Sequence, residues 1–145
     1  MSASPDERAA TPVPTGRVPA LMIMHGGLAV ALLEAAAKVY GEIDGVQVLS
    51  NDGLDKAQIE SRIAEAVTGW REGGLLLTDF WGGSCHTCAA AAARGNGRIL
   101  LLTGINLAML LDYLHNRDRF GPEELAERMV QRGRDNIRTQ RGPAA

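Results

Sequence analysis

Leu75-Leu76-Leu77-Thr78-Asp79-Phe80-Trp81-Gly82-Gly83-Ser84 is the segment that decides the fold of this chain. The continuously apolar run at its start is typical of a parallel strand that is buried on both faces of a sheet. The run ends in an aspartate and a glycine pair, and a helical, alanine-rich pattern begins at Ser84. This order predicts a strand–loop–helix unit with its polar residues at the carboxyl end of the strand, where open parallel sheets bind ligands.

A second segment near the N-terminus has the same arrangement. The apolar run 18–24 is followed by His25-Gly26-Gly27, and helical spacing of apolar residues covers 28–40. If the two predicted strands are neighbours in a parallel sheet, their carboxyl ends meet at one edge of that sheet. The sequence therefore places a histidine and an aspartate at a common site.

The rest of the chain continues to alternate strand and helix patterns. Further strands are predicted at 46–49 and 99–102, and further helices at 55–71, 84–93, 106–115 and from 121 onward. Helices of ten or more residues between apolar strands imply right-handed crossovers. The predicted fold is a three-layer α/β sandwich, with a small, mostly parallel open sheet and helices on both faces.

Composition excludes two classes of function. The chain has a net charge of −2 and no basic stripe, which argues against nucleic acid. It contains no run of 18 apolar residues, so no membrane insertion is expected.

Residues 1–17 carry three prolines and two acids and are expected to be a disordered tail rather than a signal peptide. A folded domain over 18–139, a flexible tail over 140–145 and a cytoplasmic location complete this prediction.

His25 and Asp79 are the candidate reactive pair. An imidazole at a strand end, just before a glycine-rich helix start, can act as a base, a metal ligand or a phosphate-accepting nucleophile. An aspartate on the neighbouring strand can hydrogen-bond one ring nitrogen and leave the other free to attack phosphorus. Backbone N–H groups at helix N-termini favour an anion, so the candidate phosphate-binding residues are Gly26, Gly27, Gly82, Gly83 and Ser84.

Three motifs in order resemble the IIA component of the mannose-type bacterial sugar phosphotransferase system. They are the strand with His25-Gly26, the segment 79–84 with its Asp-x-Trp-Gly-Gly-Ser pattern, and the segment 104–110, Gly-Ile-Asn-Leu-Ala-Met-Leu. The resemblance implies a phosphoryl relay in which the phosphocarrier HPr phosphorylates His25, and His25 phosphorylates a IIB partner. It also implies that Asp79 supports the histidine, that the protein is a cytosolic homodimer, and that no metal or nucleotide cofactor is needed.

The chain departs from the family pattern directly after Ser84. The family usually has proline there, whereas this sequence reads Cys85-His86-Thr87-Cys88. At a predicted helix N-terminus, where a thiolate is stabilised, this spacing is consistent with a disulfide that gates the relay. It is also consistent with a zinc site built from Cys85, His86, Cys88 and His25, or with two small buried residues on an alanine-rich helix.

Three functions therefore remain open at the level of sequence. The first is the transport-coupled phosphoryl carrier that the resemblance implies. The second is a regulatory phosphohistidine protein without a cognate sugar permease, because the chain has no fused IIB domain. The third is a thiol-redox or zinc-binding variant that uses Cys85 and Cys88, since a fold does not determine a function.

Overall fold

A four-stranded, all-parallel sheet forms the middle layer of the protein in a computed structural model that describes residues 16–145. The strands follow the order β2-β1-β3-β4 across the sheet. Their bounds are β1 Ala20–Met24, β2 Val46–Ser50, β3 Gly74–Thr78 and β4 Ile99–Leu102. The helices are α1 Leu28–Tyr40, α2 Lys56–Ala66, α3 Ser84–Ala92, α4 Leu107–Asn116 and α5 Pro122–Asp135. The predicted three-layer α/β sandwich is confirmed.

Alternation along the central strands divides the core between the two faces of the sheet. Ala20, Met22 and Met24 of β1 join a cluster beneath α1, α4 and α5. Leu21 and Ile23 point to the other face, where they pack with Ile59, Ile63 and the cysteines of α3. Every residue of β1 and β3 is buried. The continuous apolar runs of these strands follow from this, because a central parallel strand has no solvent-facing side.

Helix α2 ends earlier than the sequence pattern predicts. It stops at Ala66, and a turn covers 67–69 before Trp70. The hydroxyl of Thr68 donates to the carbonyl of Ala64 at 2.9 Å, and Gly69 follows, a residue with poor helix propensity. Trp70 nevertheless packs on the α2–α3 side of the sheet, so the apolar pattern identified the correct core face and overestimated the length of the helix.

The segment 104–110 begins α4 and fastens it to α5. The side chain of Asn106 accepts from the N–H of Met109 at 3.0 Å and therefore caps α4. Its amide donates to the carbonyl of Gly133 in α5 at 3.3 Å. A side chain at Gly133 would collide with Met109 at 2.6 Å, so the two helices approach closely at this point.

The predicted N-terminal tail, 1–17, lies mostly outside the described residues, whereas the predicted C-terminal tail, 140–145, is described. Of residues 1–17, those at 1–15 lie outside the described residues, and Arg17 pairs with Asp44 at 3.0 Å and Asp118 at 3.2 Å. Residues 140–145 are exposed and have no secondary structure. In the part of the chain that the structure describes, no helix combines the length and the apolar character needed to span a membrane.

Candidate functional site

The register between β1 and β3 brings the predicted reactive pair together. Ile23 is opposite Thr78 in the parallel ladder, so the residues that follow, His25 and Asp79, lie at the same edge of the sheet. Oδ2 of Asp79 is 2.7 Å from Nδ1 of His25 and also accepts the backbone N–H of His25 at 2.9 Å. Oδ1 accepts the backbone N–H of Phe80 at 3.1 Å. The hydrogen bond that the sequence led us to expect between the two side chains is present.

These hydrogen bonds determine the ionisation of Asp79. Its side chain is only 8% exposed, and burial alone would raise its pKa. The donors on His25 and the backbone N–H beside it outweigh that effect, and the pKa of Asp79 is lowered. An ionised carboxylate can only accept hydrogen bonds, so Nδ1 of His25 carries the proton. In the neutral imidazole, Nε2 then holds the free lone pair.

Nε2 lies beside the hydroxyl of Ser84 on a partly exposed side chain. The hydroxyl of Ser84 lies 3.3 Å from Nε2, and the histidine side chain is 35% exposed. Phe80 stacks on the imidazole, with 5.1 Å between ring centroids and 24° between planes. Gly83 lies against both rings: a Cβ there would be 2.7 Å from Phe80 and 3.2 Å from Cε1 of His25. The imidazole is thus held by Asp79, Phe80 and Gly83, with the hydroxyl of Ser84 beside Nε2.

Two helices begin at this site, and neither has a side chain that accepts hydrogen bonds from the N–H groups of its first turn. The N-cap residues of α1 and α3 are Gly27 and Gly83, and neither helix has a side-chain cap or an acid in its first turn. The other helices differ, because Asp55 caps α2, Asn106 caps α4, and α5 has two glutamates in its first turn. Uncapped N-termini carry partial positive charge and unsatisfied donors. Helix α3 begins at Ser84, whose hydroxyl is 3.3 Å from Nε2, and α1 begins three residues after His25, so both helix starts make the surroundings of the histidine suited to an anion.

Two of the glycine N–H groups that were expected to bind phosphate already have partners. The N–H of Gly26 donates to Oδ1 of Asn51 at 3.1 Å. The N–H of Gly82 donates to Nδ1 of His86 at 2.9 Å. Asn51 and His86 therefore hold the two glycine loops in place. Of the five candidates, Gly27, Gly83 and Ser84 lie at the uncapped helix starts, whereas Gly26 and Gly82 serve the loops in this structure.

Sequence reasoning missed the roles of Asn51 and Phe80. Asn51 follows β2, and β2 is the other neighbour of β1, with Ser50 opposite Met24. A signal is present in the sequence, because Asn51 directly follows its strand, just as Asp79 does. Phe80 has no comparable signal, because sequence alone does not show that its ring turns back over His25.

The two cysteines lie in different surroundings. Cys85 is fully buried next to His25 and Asp79, and ligand atoms of these three residues all lie within 4.8 Å of one another. Cys88 instead points to α2, where its thiol donates to the carbonyl of Lys56 at 3.8 Å. The four-ligand set Cys85, His86, Cys88 and His25 is therefore not assembled. Among the described residues, the only cluster of three or more potential metal ligands is that of His25, Asp79 and Cys85.

The expectation of a stabilised thiolate at this helix N-terminus is wrong. Burial, followed by the nearby carboxylate of Asp79, raises the pKa of Cys85 to about 11. Burial also raises the pKa of Cys88, and Glu60 adds to the effect. Desolvation is the largest cause, because Cys85 is fully buried, and the hydrogen bond with Ser84 lowers the pKa too little to offset it. Both cysteines are free thiols.

Comparison with known proteins agrees with this geometry. The family model described as PTS system fructose IIA component matches residues 20–140. The chain therefore belongs to the mannose-type family of IIA components of the bacterial phosphotransferase system. The sorbose-specific EIIA component of Klebsiella pneumoniae is 26% identical over 113 residues, which cover 77% of this chain and 84% of that protein. The fructose-specific EIIA component of Bacillus subtilis is 26% identical over 104 residues, with 70% and 71% covered.

Solved structures show the same fold. The phosphotransferase system component EIIA from Streptococcus agalactiae superimposes with a TM-score of 0.78 at 20% identity, covering 84% of this chain and 96% of that one. The mannose/sorbose-specific IIA subunit from Enterococcus faecalis gives a TM-score of 0.76 at 20% identity, covering 89% and 98%. IIA components of this family are phosphotransferases, so the chain belongs to a phosphoryl-transfer class.

The depressed pKa of Asp79 predicts a pH-dependent effect of Asp79→Asn. A carboxylate whose pKa is lower in the folded than in the unfolded state stabilises the fold above the unfolded value, and that stabilisation is lost as the pH falls through the folded value. We therefore expect Asp79→Asn to lower the free energy of unfolding at neutral pH. The difference from the wild type should shrink below the ordinary pKa of 3.8.

Denaturant titrations across this pH range measure the effect, with Asp52→Asn in the neighbouring exposed loop as the matched control. Nitrogen NMR of the His25 ring should in parallel show the Nδ1–H tautomer in the wild type and a weaker preference in the variant. A stability difference that does not change with pH would contradict the assignment of an ionised Asp79.

Proposed function

We propose that this protein is a cytoplasmic phosphoryl carrier that accepts a phosphoryl group from phospho-HPr on Nε2 of His25 and passes it to a IIB partner. The observation that carries the proposal is the His25–Asp79 pair at two uncapped helix N-termini. The family supplies the class of reaction. The geometry supports His25 as the nucleophile because Asp79 holds Nδ1 and leaves Nε2, beside the hydroxyl of Ser84, to attack phosphorus.

The proposed transfer needs no external base. As the lone pair of Nε2 attacks phosphorus, the new N–P bond forms while the bond from phosphorus to the donor breaks, and the donor keeps that electron pair. The proton on Nδ1 stays in place, and the Asp79 carboxylate stabilises the positive charge that develops on the ring. The starts of α1 and α3, with the hydroxyl of Ser84, receive the phosphoryl oxygens.

The return step uses the same groups. The phosphorylated ring carries positive charge opposite Asp79, so Nε2 is a good leaving group when an acceptor on IIB attacks phosphorus from the opposite side. Phe80 and Gly83 hold the ring in position, which favours an in-line geometry in both directions.

Replacing the proposed nucleophile should abolish labelling. Purified protein with phosphoenolpyruvate, enzyme I and HPr is expected to take up one phosphate that is acid-labile and alkali-stable, and His25→Ala is expected to take up none. His115→Ala is the matched control, because His115 lies in α4 against Tyr40 and away from the site. Equal labelling of His25→Ala and the wild type would refute the proposal.

An exposed aromatic surface beside His25 is suited to the phosphocarrier partners. Trp81 is 76% exposed and Phe80 is 54% exposed, and the Trp81 ring lies 4.4 Å from that of His86. Leu28, at the start of α1, is also exposed. A protein that transfers phosphate to Nε2 must cover this side of the site, so the rings lie where HPr and IIB would dock.

Trp81→Ala is expected to weaken docking more than chemistry. Truncating an exposed aromatic anchor at an interface typically costs about 2 kcal/mol, or about thirtyfold in affinity. KM for phospho-HPr should therefore rise by about that factor while kcat changes much less. Steady-state phosphorylation of the variant, with Val39→Ala on the distant part of α1 as the control, measures this. A fall in kcat at unchanged KM would instead make Trp81 part of the reacting geometry.

The open edge of the sheet supports the homodimer that the family resemblance implies. Among the described residues, β4 pairs only with β3. A groove of about 960 Å³ runs between this edge and α5, and its apolar lining includes Leu100, Leu102 and Val130. Residues 137–145 are exposed and extend from the end of α5. We propose that this segment of one protomer occupies the groove of its partner, which would cover an edge that otherwise invites pairing.

Ile137 provides a sharp test, because its side chain is exposed within the protomer. Burying an isoleucine contributes about 1.5–3 kcal/mol, so Ile137→Asp should raise the dimer dissociation constant by about 10- to 100-fold. Light scattering and sedimentation measure the change, and Val39→Asp, at an exposed apolar position of α1 outside this segment, adds the same charge as a control. A monomeric wild type, or an equal effect of both variants, would contradict the exchange.

A further inference from the structure

We infer that His25, Asp79 and Cys85 form a binding site for Zn²⁺ and that an ion bound there blocks phosphorylation of His25. The three residues offer one nitrogen, one oxygen and one sulfur ligand, all within 4.8 Å of one another. His, Asp and Cys are the side chains that bind zinc, in the three-ligand arrangement that leaves a fourth position open. The proposed zinc binding is argued from this geometry alone, whereas the proposed block of phosphorylation also rests on the proposed function.

The ligands need only a small adjustment to close on an ion. Zinc lies about 2.0–2.3 Å from such donors, so a tetrahedral site has ligand atoms about 3.4–3.7 Å apart. Nδ1 of His25 and Oδ2 of Asp79 are already 2.7 Å apart and must separate by about 0.7 Å, whereas ligand atoms at the 4.8 Å limit must approach by about 1 Å. His25 is partly exposed, so its open side leaves an entry path and a place for water as the fourth ligand.

Charge also favours the ion. Binding replaces the thiol proton: Zn²⁺ and the Cys85 thiol give a zinc–thiolate bond and a proton released to solvent. The ion, one carboxylate and one thiolate then sum to zero, so no net charge is buried at the edge of the sheet. The partial positive charge of the α3 N-terminus stabilises the thiolate once the metal has removed its proton.

Either mode of histidine ligation stops the proposed transfer. If zinc binds Nε2, the lone pair that attacks phosphorus is used. If it binds Nδ1, the ring proton moves from Nδ1 to Nε2, so Nε2 no longer has a lone pair to attack phosphorus, and the carboxylate turns to the metal. The other residues of the Cys-x-x-Cys segment are occupied elsewhere, since Cys88 donates to Lys56 and His86 accepts from Gly82. Cys85 alone therefore converts the reactive pair into a metal site.

Cobalt is the direct probe, because a Co²⁺–thiolate bond has an absorption band in the near ultraviolet that oxygen and nitrogen ligands do not produce. The metal-free full-length chain, treated with chelator, is titrated with Co²⁺ and then with competing Zn²⁺. We expect one equivalent to bind with the thiolate band. Cys85→Ser should lose the band and bind Zn²⁺ at least about tenfold more weakly. Cys88→Ser, a buried cysteine on the same helix, should keep both.

Phosphorylation then tests the consequence separately. Zn²⁺ should suppress labelling of the wild type, chelator should restore it, and Cys85→Ser should be labelled at Zn²⁺ concentrations that inhibit the wild type. Labelling in chelator without any metal tests the proposed function alone. The proposed phosphoryl transfer and the proposed zinc inhibition can therefore fail independently. The inference is overturned if Cys85→Ser and the wild type bind the metals equally, or if Cys88→Ser is the variant that loses the band.

Discussion

Parallel pairing of β1 with β3 is the constraint on which the rest of this site depends. The register that places Ile23 opposite Thr78 brings the ends of two strands, more than fifty residues apart in sequence, to a distance at which His25 and Asp79 form a hydrogen bond of 2.7 Å. The strands hold that register because both are buried on two faces, and a shift by one residue would exchange the faces of every side chain. The hydrophobic core thus places the Asp79 carboxylate against Nδ1 of the histidine.

Much of the fold was readable because its signals are local and agree with each other. Apolar runs identified the four strands, and the apolar residues between successive strands repeat at helical spacing. The boundary that failed, the end of α2, depends on Thr68 and Gly69, whose weak preferences compete with an apolar pattern that continues to Trp70. Periodicity reports which face is buried; it does not report whether the backbone between two buried residues stays helical.

Only part of the candidate site could be predicted from the sequence, because the rest depends on side-chain and loop conformations. His25 and Asp79 could be paired from the topology alone, because parallel strands end at one edge. Whether the N–H groups of Gly26 and Gly82 are free is a different question, since it depends on Asn51 and His86, which reach these loops through particular side-chain rotamers. The stacking of Phe80 on His25 likewise arises from a loop conformation that no pattern encodes.

The position of Cys85 shows how a single side chain can change the chemistry that a pair of residues permits. A site that stabilises phosphate must collect donors and partial positive charge, and a site that holds zinc must collect lone pairs. His25 and Asp79 serve both needs, because an imidazole offers a donor and a lone pair and a carboxylate offers lone pairs only. A proline at position 85 would leave just these two ligands, too few for a stable site. A buried thiol beside them supplies the third ligand, so the proposed zinc site and the proposed phosphate site use the same pair of residues.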